Sequence, residues 1–364
     1  MWTREPDDTV LDETGAVVYF SLDRFVRDIC LGDCCFICGA APGAVPFNDE
    51  HVLPRWILRR YGLFNAFLTL PNGTRIQYDR YTVPCCTACN TLMGRVIEEP
   101  VRALVESGYD AVHAHHKQHG NLLFYVWLGL IFLKTHLKDR KLRAHRDARK
   151  GATPIAEDLQ YNWPGLHYLH TLVRCFATGA AIHPSALGSF VVIRAQDEGP
   201  KKAFDFSDLY QAQSMMLRLG EFAFLAAFND GGGAAIFLKQ KLDRITGPVS
   251  GVQLRELAVD LGFLNVHLKE HTVLESSFNL QQELHGIEGK TAWPELETLD
   301  YAVRGNFMHY LFRSDLPLMR SYKFSEAEIE AQMLAGRLTF LFDENGNFFE
   351  DSHAPAPPPE PPSL

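Results

Sequence analysis

CCFICGA (34–40) and CCTACN (85–90) hold six of the eight cysteines of this chain, the others being Cys30 and Cys175. Two clusters that each end in C-x-x-C suggest metal rather than disulfides. A C-x-x-C pair presents two thiolates at the right separation for one tetrahedral ion, whereas vicinal cysteines do not easily bridge to each other. Cys35, Cys38, Cys86 and Cys89 are therefore expected to hold a structural Zn²⁺ through four thiolates, with Zn–S distances of about 2.3 Å. The doublets leave one choice open, because Cys34 or Cys85 can stand in for its neighbour.

Composition sets the frame. With 364 residues, 46% of them hydrophobic and 22% charged, the chain can bury substantial cores in two or three domains. A formal charge of −9 argues against polyanion binding by the molecule as a whole, so any nucleic-acid contact has to be local. The opening MWTREPDDTV lacks the apolar core of a secretory signal, and a cytoplasmic protein is expected. The longest apolar run, Leu122 to Leu133, has twelve residues where a bilayer span needs roughly 20. A buried helix and no membrane contact are expected.

Between the clusters lies FNDEHVLPRW (47–56), with Glu50-His51 followed by Pro54, and the second cluster closes on Asn90. In this order, C-x-x-C, E-H-x-x-P and C-x-x-C-N, residues 33–105 resemble the HNH endonucleases of the ββα-metal class. That resemblance implies His51 as general base, Glu50 and Asn90 as ligands of a catalytic Mg²⁺ or Mn²⁺, and the four cysteines as zinc ligands. It implies hydrolysis of phosphodiester bonds, DNA ahead of RNA. By analogy alone it suggests the effector of a prokaryotic restriction or anti-phage system. The chemistry is coherent without the family, since phosphodiester hydrolysis needs a proton acceptor for water and a cation to offset phosphate charge. Zinc would hold the segment bearing Asn90 against the one bearing His51, which a core of that size could not do. The rival reading is a catalytically inert zinc-held module that binds nucleic acid or protein.

The sequence departs from the family in three places. Glu50 stands where Asp is common, Asn90 where His is common, and the asparagine that usually orients the base histidine is missing. Asn65 and Asn72 are the asparagines between His51 and Cys86, and Asn72-Gly73 reads as a turn between two strands. Asn90 also reads as a helix N-cap. Glu98 falls nearer the Asn90 face than Glu99 does, although a solvated charge is the default for both.

Candidate phosphate contacts are Arg55, Arg59 and Arg60, at helical spacing just after His51. A second set, Lys138, Arg140, Lys141 and Arg143, lies in the basic run 134–150, which has eight Lys or Arg against two Asp. His115 and His119 stand four apart and could share a metal, but no carboxylate completes such a site. The cluster His113, His115, His116 and His119 reads as a polar helix end.

The expected organisation is α+β. It comprises an N-terminal segment (1–32), the zinc-stapled ββα-metal module (33–105), a mostly helical region (106–185), an α+β domain (186–350) that could dock a protein partner or regulatory subunit, and a disordered proline-rich tail (351–364). Within 186–350, GSFVVIRAQ reads as a strand. EFAFLAAF and AAIFLK read as a hairpin across Asp230–Gly233, and DLYQAQSMMLRLG and SGVQLRELAVDLG as helices.

Overall fold

The computed structural model describes residues 1–145, 147–290, 292–313, 315–316 and 325–350, so the proline-rich tail lies outside the described residues. The fold mixes helix and sheet, and the chain forms two compact units. The first takes Met1–Phe190 together with Ala226–Gly233 and Leu268–Glu295. The second takes Val191–Leu225, Ala234–His267 and the chain from Leu296 onward.

The first unit begins with an antiparallel meander, β1 (Thr3–Arg4), β2 (Val10–Leu11) and β3 (Val17–Tyr19), whose Trp2, Val10 and Val18 pack with Phe278 and Leu280. A single turn, α1 (Leu22–Arg24), is capped by the Ser21 hydroxyl and runs on as a π-helical turn to Cys30. β4 (Phe47–His51) pairs antiparallel with β7 (Thr82–Cys86), in a register that sets Phe47 against Cys86 and His51 against Thr82. Between these strands the chain makes α2 (Arg55–Arg60) and the hairpin β5 (Phe67–Thr69) and β6 (Arg75–Gln77). Asn72-Gly73 forms the hairpin turn as expected. The Asn72 carboxamide oxygen accepts from the Thr74 amide and hydroxyl, and Gly73 takes the left-handed conformation at φ 73°. α3 (Thr87–Met93) follows β7 without a loop and packs on both strands, which makes the centre of 33–105 a strand–strand–helix unit.

α3 continues through a π-helical turn (Gly94–Glu98) into α4 (Glu99–Glu106), then α5 (Tyr109–His119) and α6 (Leu122–Asp139). α6 is the buried helix expected from its apolar run, covered on all sides from Phe124 to Leu137. It packs against β7, α4, α7 (Ile155–Asp158) and α8 (His167–Val173). Gly129 permits the approach of α8, because a Cβ there would stand 2.8 Å from Val173 Cγ1 and 2.9 Å from Leu169 Cδ1. No single helix among the described residues is long and apolar enough to cross a membrane. α9 (Cys175–Thr178) and a sheet of β13 (Val273–Asn279), β14 (Leu284–Lys290) and the short parallel strand β8 (Ala181–Ile182) complete this unit.

The second unit is built on a sheet in the order β10 (Phe204–Leu209), β11 (Ser214–Leu219), β12 (Phe222–Ala227), β9 (Phe190–Arg194). α11 (Gly251–Val266) packs on β10 and β11, α12 (Tyr301–Phe312) on α11, and α13 (Glu326–Leu334) on α12, around Val259, Met308, Phe312, Ile329 and Met333. The strand expected in GSFVVIRAQ and the helix in SGVQLRELAVDLG are present, the latter opened by a Ser250–Gln253 capping box.

Two expectations fail in this region. MMLRL is the fully buried strand β11, not a helix, and its apolar run is too short for periodicity to separate the two. AAIFLK lies in a helix, α10 (Gly233–Leu242), not in a hairpin strand: Ala234 and Leu238, four apart, are buried while Ile236 is exposed. The glycine run thus joins a strand to a helix. The Asp230 carboxylate there accepts from the amides of Ser189 and Gly232, so an acidic group already takes these donors.

Candidate functional site

The cysteine clusters converge. β7 delivers Cys86 and α3 delivers Cys89 one turn later, while the turn before β4 supplies Cys35 and Cys38. The four Sγ atoms all lie within 4.8 Å of one another. Spacing groups one cysteine of each doublet with the other two. Cys85 points into the interior as the neighbour of Cys86 on an alternating strand, its Sγ 3.8 Å from that of Cys35, and Cys34 stands outside the group. Among the described residues this is the one group of three or more Cys, His, Asp or Glu side chains close enough to share an ion.

The donor set fits Zn²⁺ on charge as well as spacing. The Cys35 pKa is driven down by hydrogen bonds from Cys38, Cys85 and Cys89, while that of Cys38 is pushed up to about 12 by Cys35. A divalent ion lets all four ionise. The resulting dianion has a counter-charge at hand in Arg174, which is fully buried and donates to the carbonyls of Ile37, Val17 and Val18. No carboxylate pairs with Arg174 among the described residues, and a buried guanidinium needs negative charge nearby.

β4 carries Glu50 and His51, whose side chains leave opposite faces of the strand. His51 Nε2 lies 3.3 Å from Asp79 Oδ1, and the His51 side chain keeps 12% of its surface exposed. Asp79 sits in a 3₁₀ turn (Tyr78–Arg80) just before β7. It stands beside the histidine, which no asparagine could be assigned to accompany from the sequence. The pattern DRYT held the signal, but a search restricted to asparagine passes over it.

Glu50 turns inward and is buried, its Oε1 2.6 Å from Lys134 Nζ. Lys134 comes from α6, is 1% exposed, and also donates to the His51 carbonyl at 2.8 Å. Glu98 Oε1 lies 3.9 Å from the same Lys134 Nζ. Glu98 is therefore not the solvated charge expected of it: burial pushes its carboxyl up to about 7, against the pull of Lys134. The end of α6 is tied down as well, since buried Asp139 accepts from the hydroxyl of Tyr81, just before β7, at 2.9 Å and from that of Tyr161, after α7, at 3.0 Å.

Asn90 is not the N-cap of α3. That position is Cys86, whose sulfur accepts from the Cys89 amide, and Asn90 lies a turn further on. Its amide donates to Asn48 Oδ1 at 2.9 Å. In this arrangement one Glu50 carboxylate oxygen is held by a buried ammonium, and the Asn90 amide nitrogen is turned to Asn48.

Arg55, Arg59 and Arg60 are exposed on α2, which starts four residues after His51. The second basic set is largely engaged within the protein. Arg140 and Lys141 both pair with Asp33, at 3.1 and 2.6 Å, and Lys138 is half-buried with its pKa lowered by that burial. Arg143 is exposed, and its carbonyl accepts from Asn72. The histidines of α5 serve packing: His113 stacks on Tyr109, His115 lies edge-on to Phe124, and His116 lies against Phe190.

Compared with known proteins, the chain matches no family model, and no curated protein or solved structure aligns with it significantly.

Proposed function

We propose that residues 33–105 are an endonuclease module of the HNH kind, hydrolysing phosphodiester bonds of nucleic acid, DNA ahead of RNA. The observation that supports this most is the His51–Asp79 pair at the edge of a strand–strand–helix unit stapled by four cysteines. Asp79 holds Nε2 and so leaves Nδ1 to carry the lone pair. In the reaction, a water molecule gives its proton to His51 and its oxygen bonds to phosphorus. The ester P–O bond breaks, and the departing oxygen takes a proton from solvent. Arg55, Arg59 and Arg60 are the exposed cations closest in sequence to that base, suited to offset phosphate charge. Zn²⁺ at the cysteines would supply rigidity and no chemistry.

The test is incubation of the purified, zinc-loaded protein with supercoiled DNA, single-stranded DNA and RNA, with Mg²⁺, Mn²⁺, Ni²⁺ or chelator. His51→Ala should lower cleavage by roughly 10²–10⁴-fold with zinc content unchanged. Cleavage by that variant at the wild-type rate removes His51 as the base.

The second reading, an inert zinc-held binding module, is favoured by the neutralisation of Glu50 by Lys134. Nucleic-acid binding with no cleavage under any of these conditions would select it.

A further inference from the structure

Three oxygen donors face one point behind the candidate base: Glu50 Oε1, the His51 carbonyl and Glu98 Oε1, at 2.6, 2.8 and 3.9 Å from Lys134 Nζ. Two carboxylates and a carbonyl are the donors a hard divalent cation uses. Here an ammonium fills the place. We propose that Lys134 is the resident cation of this site, that it excludes a divalent ion from Glu50, and that the module holds its base histidine without one. The inference rests on the nuclease reading only for its consequence for catalysis, which is that cleavage needs no divalent ion.

Burial makes this arrangement permanent rather than a passing contact. Lys134 is 1% exposed and the Glu50 side chain 10%, so neither can turn to water without breaking the packing of α6 against β7. Removing either partner leaves uncompensated charge in the interior, which holds the pair together. Lys134 is also out of reach of a substrate. It is a positioning residue, which fixes the end of β4 through one side chain and one carbonyl and so sets where the His51 ring stands. Phosphate charge then falls to the exposed arginines of α2.

The experiment measures Mn²⁺ binding and cleavage separately, on the full chain with zinc loaded and its content checked throughout. Wild type is expected to bind no Mn²⁺ at this site and to cleave in the presence of chelator. Lys134→Gln is expected to gain one Mn²⁺ per chain, and the added substitution Glu50→Gln to remove it. One Mn²⁺ bound by wild type and lost in Glu50→Gln overturns the proposal, as does wild-type cleavage that chelator abolishes and Mg²⁺ restores while zinc is retained. The chelator reading needs only the wild-type chain, so it stands even if neither variant folds. If nothing is cleaved but the Mn²⁺ results are as expected, the assignment of Lys134 holds and the nuclease reading falls.

Discussion

Glu98→Gln should stabilise the first unit at alkaline pH and leave it unchanged at acid pH. In the folded chain the Glu98 carboxyl is pushed by burial from its ordinary 4.5 to about 7. The unfolded chain therefore releases this proton near pH 4.5 and the folded chain only near pH 7. Below 4.5 both states hold the proton and there is no penalty. Between 4.5 and 7 the unfolded state gains from ionisation, and stability falls as pH rises; above 7 the loss is complete. At ~1.4 kcal/mol per pH unit, that interval amounts to roughly 3 kcal/mol. Glutamine has nearly the shape of the protonated acid and does not titrate, so the variant should exceed wild type by up to about 3 kcal/mol at pH 8 and by nearly nothing at pH 4. The assay is urea unfolding followed by tryptophan fluorescence. All five tryptophans, Trp2, Trp56, Trp127, Trp163 and Trp293, belong to the first unit, so the signal reports on it alone. A difference between variant and wild type that stays constant from pH 4 to pH 8 refutes the reasoning, and so does a variant that is less stable at pH 8.

The cysteine assignment predicts that Cys34→Ser and Cys85→Ser keep one zinc per chain, whereas Cys38→Ser and Cys86→Ser lose it, as read by metal release on thiol modification. Asp79→Ala should lower cleavage by less than His51→Ala does, because it frees the imidazole without removing it; equal or greater loss would assign Asp79 a larger role. Gly129→Leu should cost about 1–3 kcal/mol in the same fluorescence assay, since even its Cβ would meet Val173 and Leu169 at under 3 Å, with no effect on zinc content.

What could be read along the chain is what depends on local spacing. Two C-x-x-C pairs foretold the convergence of Cys35, Cys38, Cys86 and Cys89, because the two-residue gap itself sets the sulfur separation. The Asn72-Gly73 turn, the helix in SGVQLRELAVDLG and the buried helix after Asn121 follow from local backbone preference and apolar run length in the same way. Strand and helix were exchanged at MMLRL and AAIFLK because a short apolar run satisfies either period, and only the neighbours that bury it decide.

The candidate site divides along the same line. Glu50, His51 and Asn90 could be picked out by order and type, but their partners could not. Lys134 lies 84 residues from Glu50, within a run that reads as a solvated basic face, and packing of α6 behind β4 and β7 turns it inward. Asp79 meets His51 only because the β4–β7 register brings the turn before β7 alongside the end of β4. Sequence determined which side chains could do chemistry here. Tertiary structure decided which of them carry a neutralising partner, since burial and charge pairing depend on what packs across space rather than on what is adjacent in the chain.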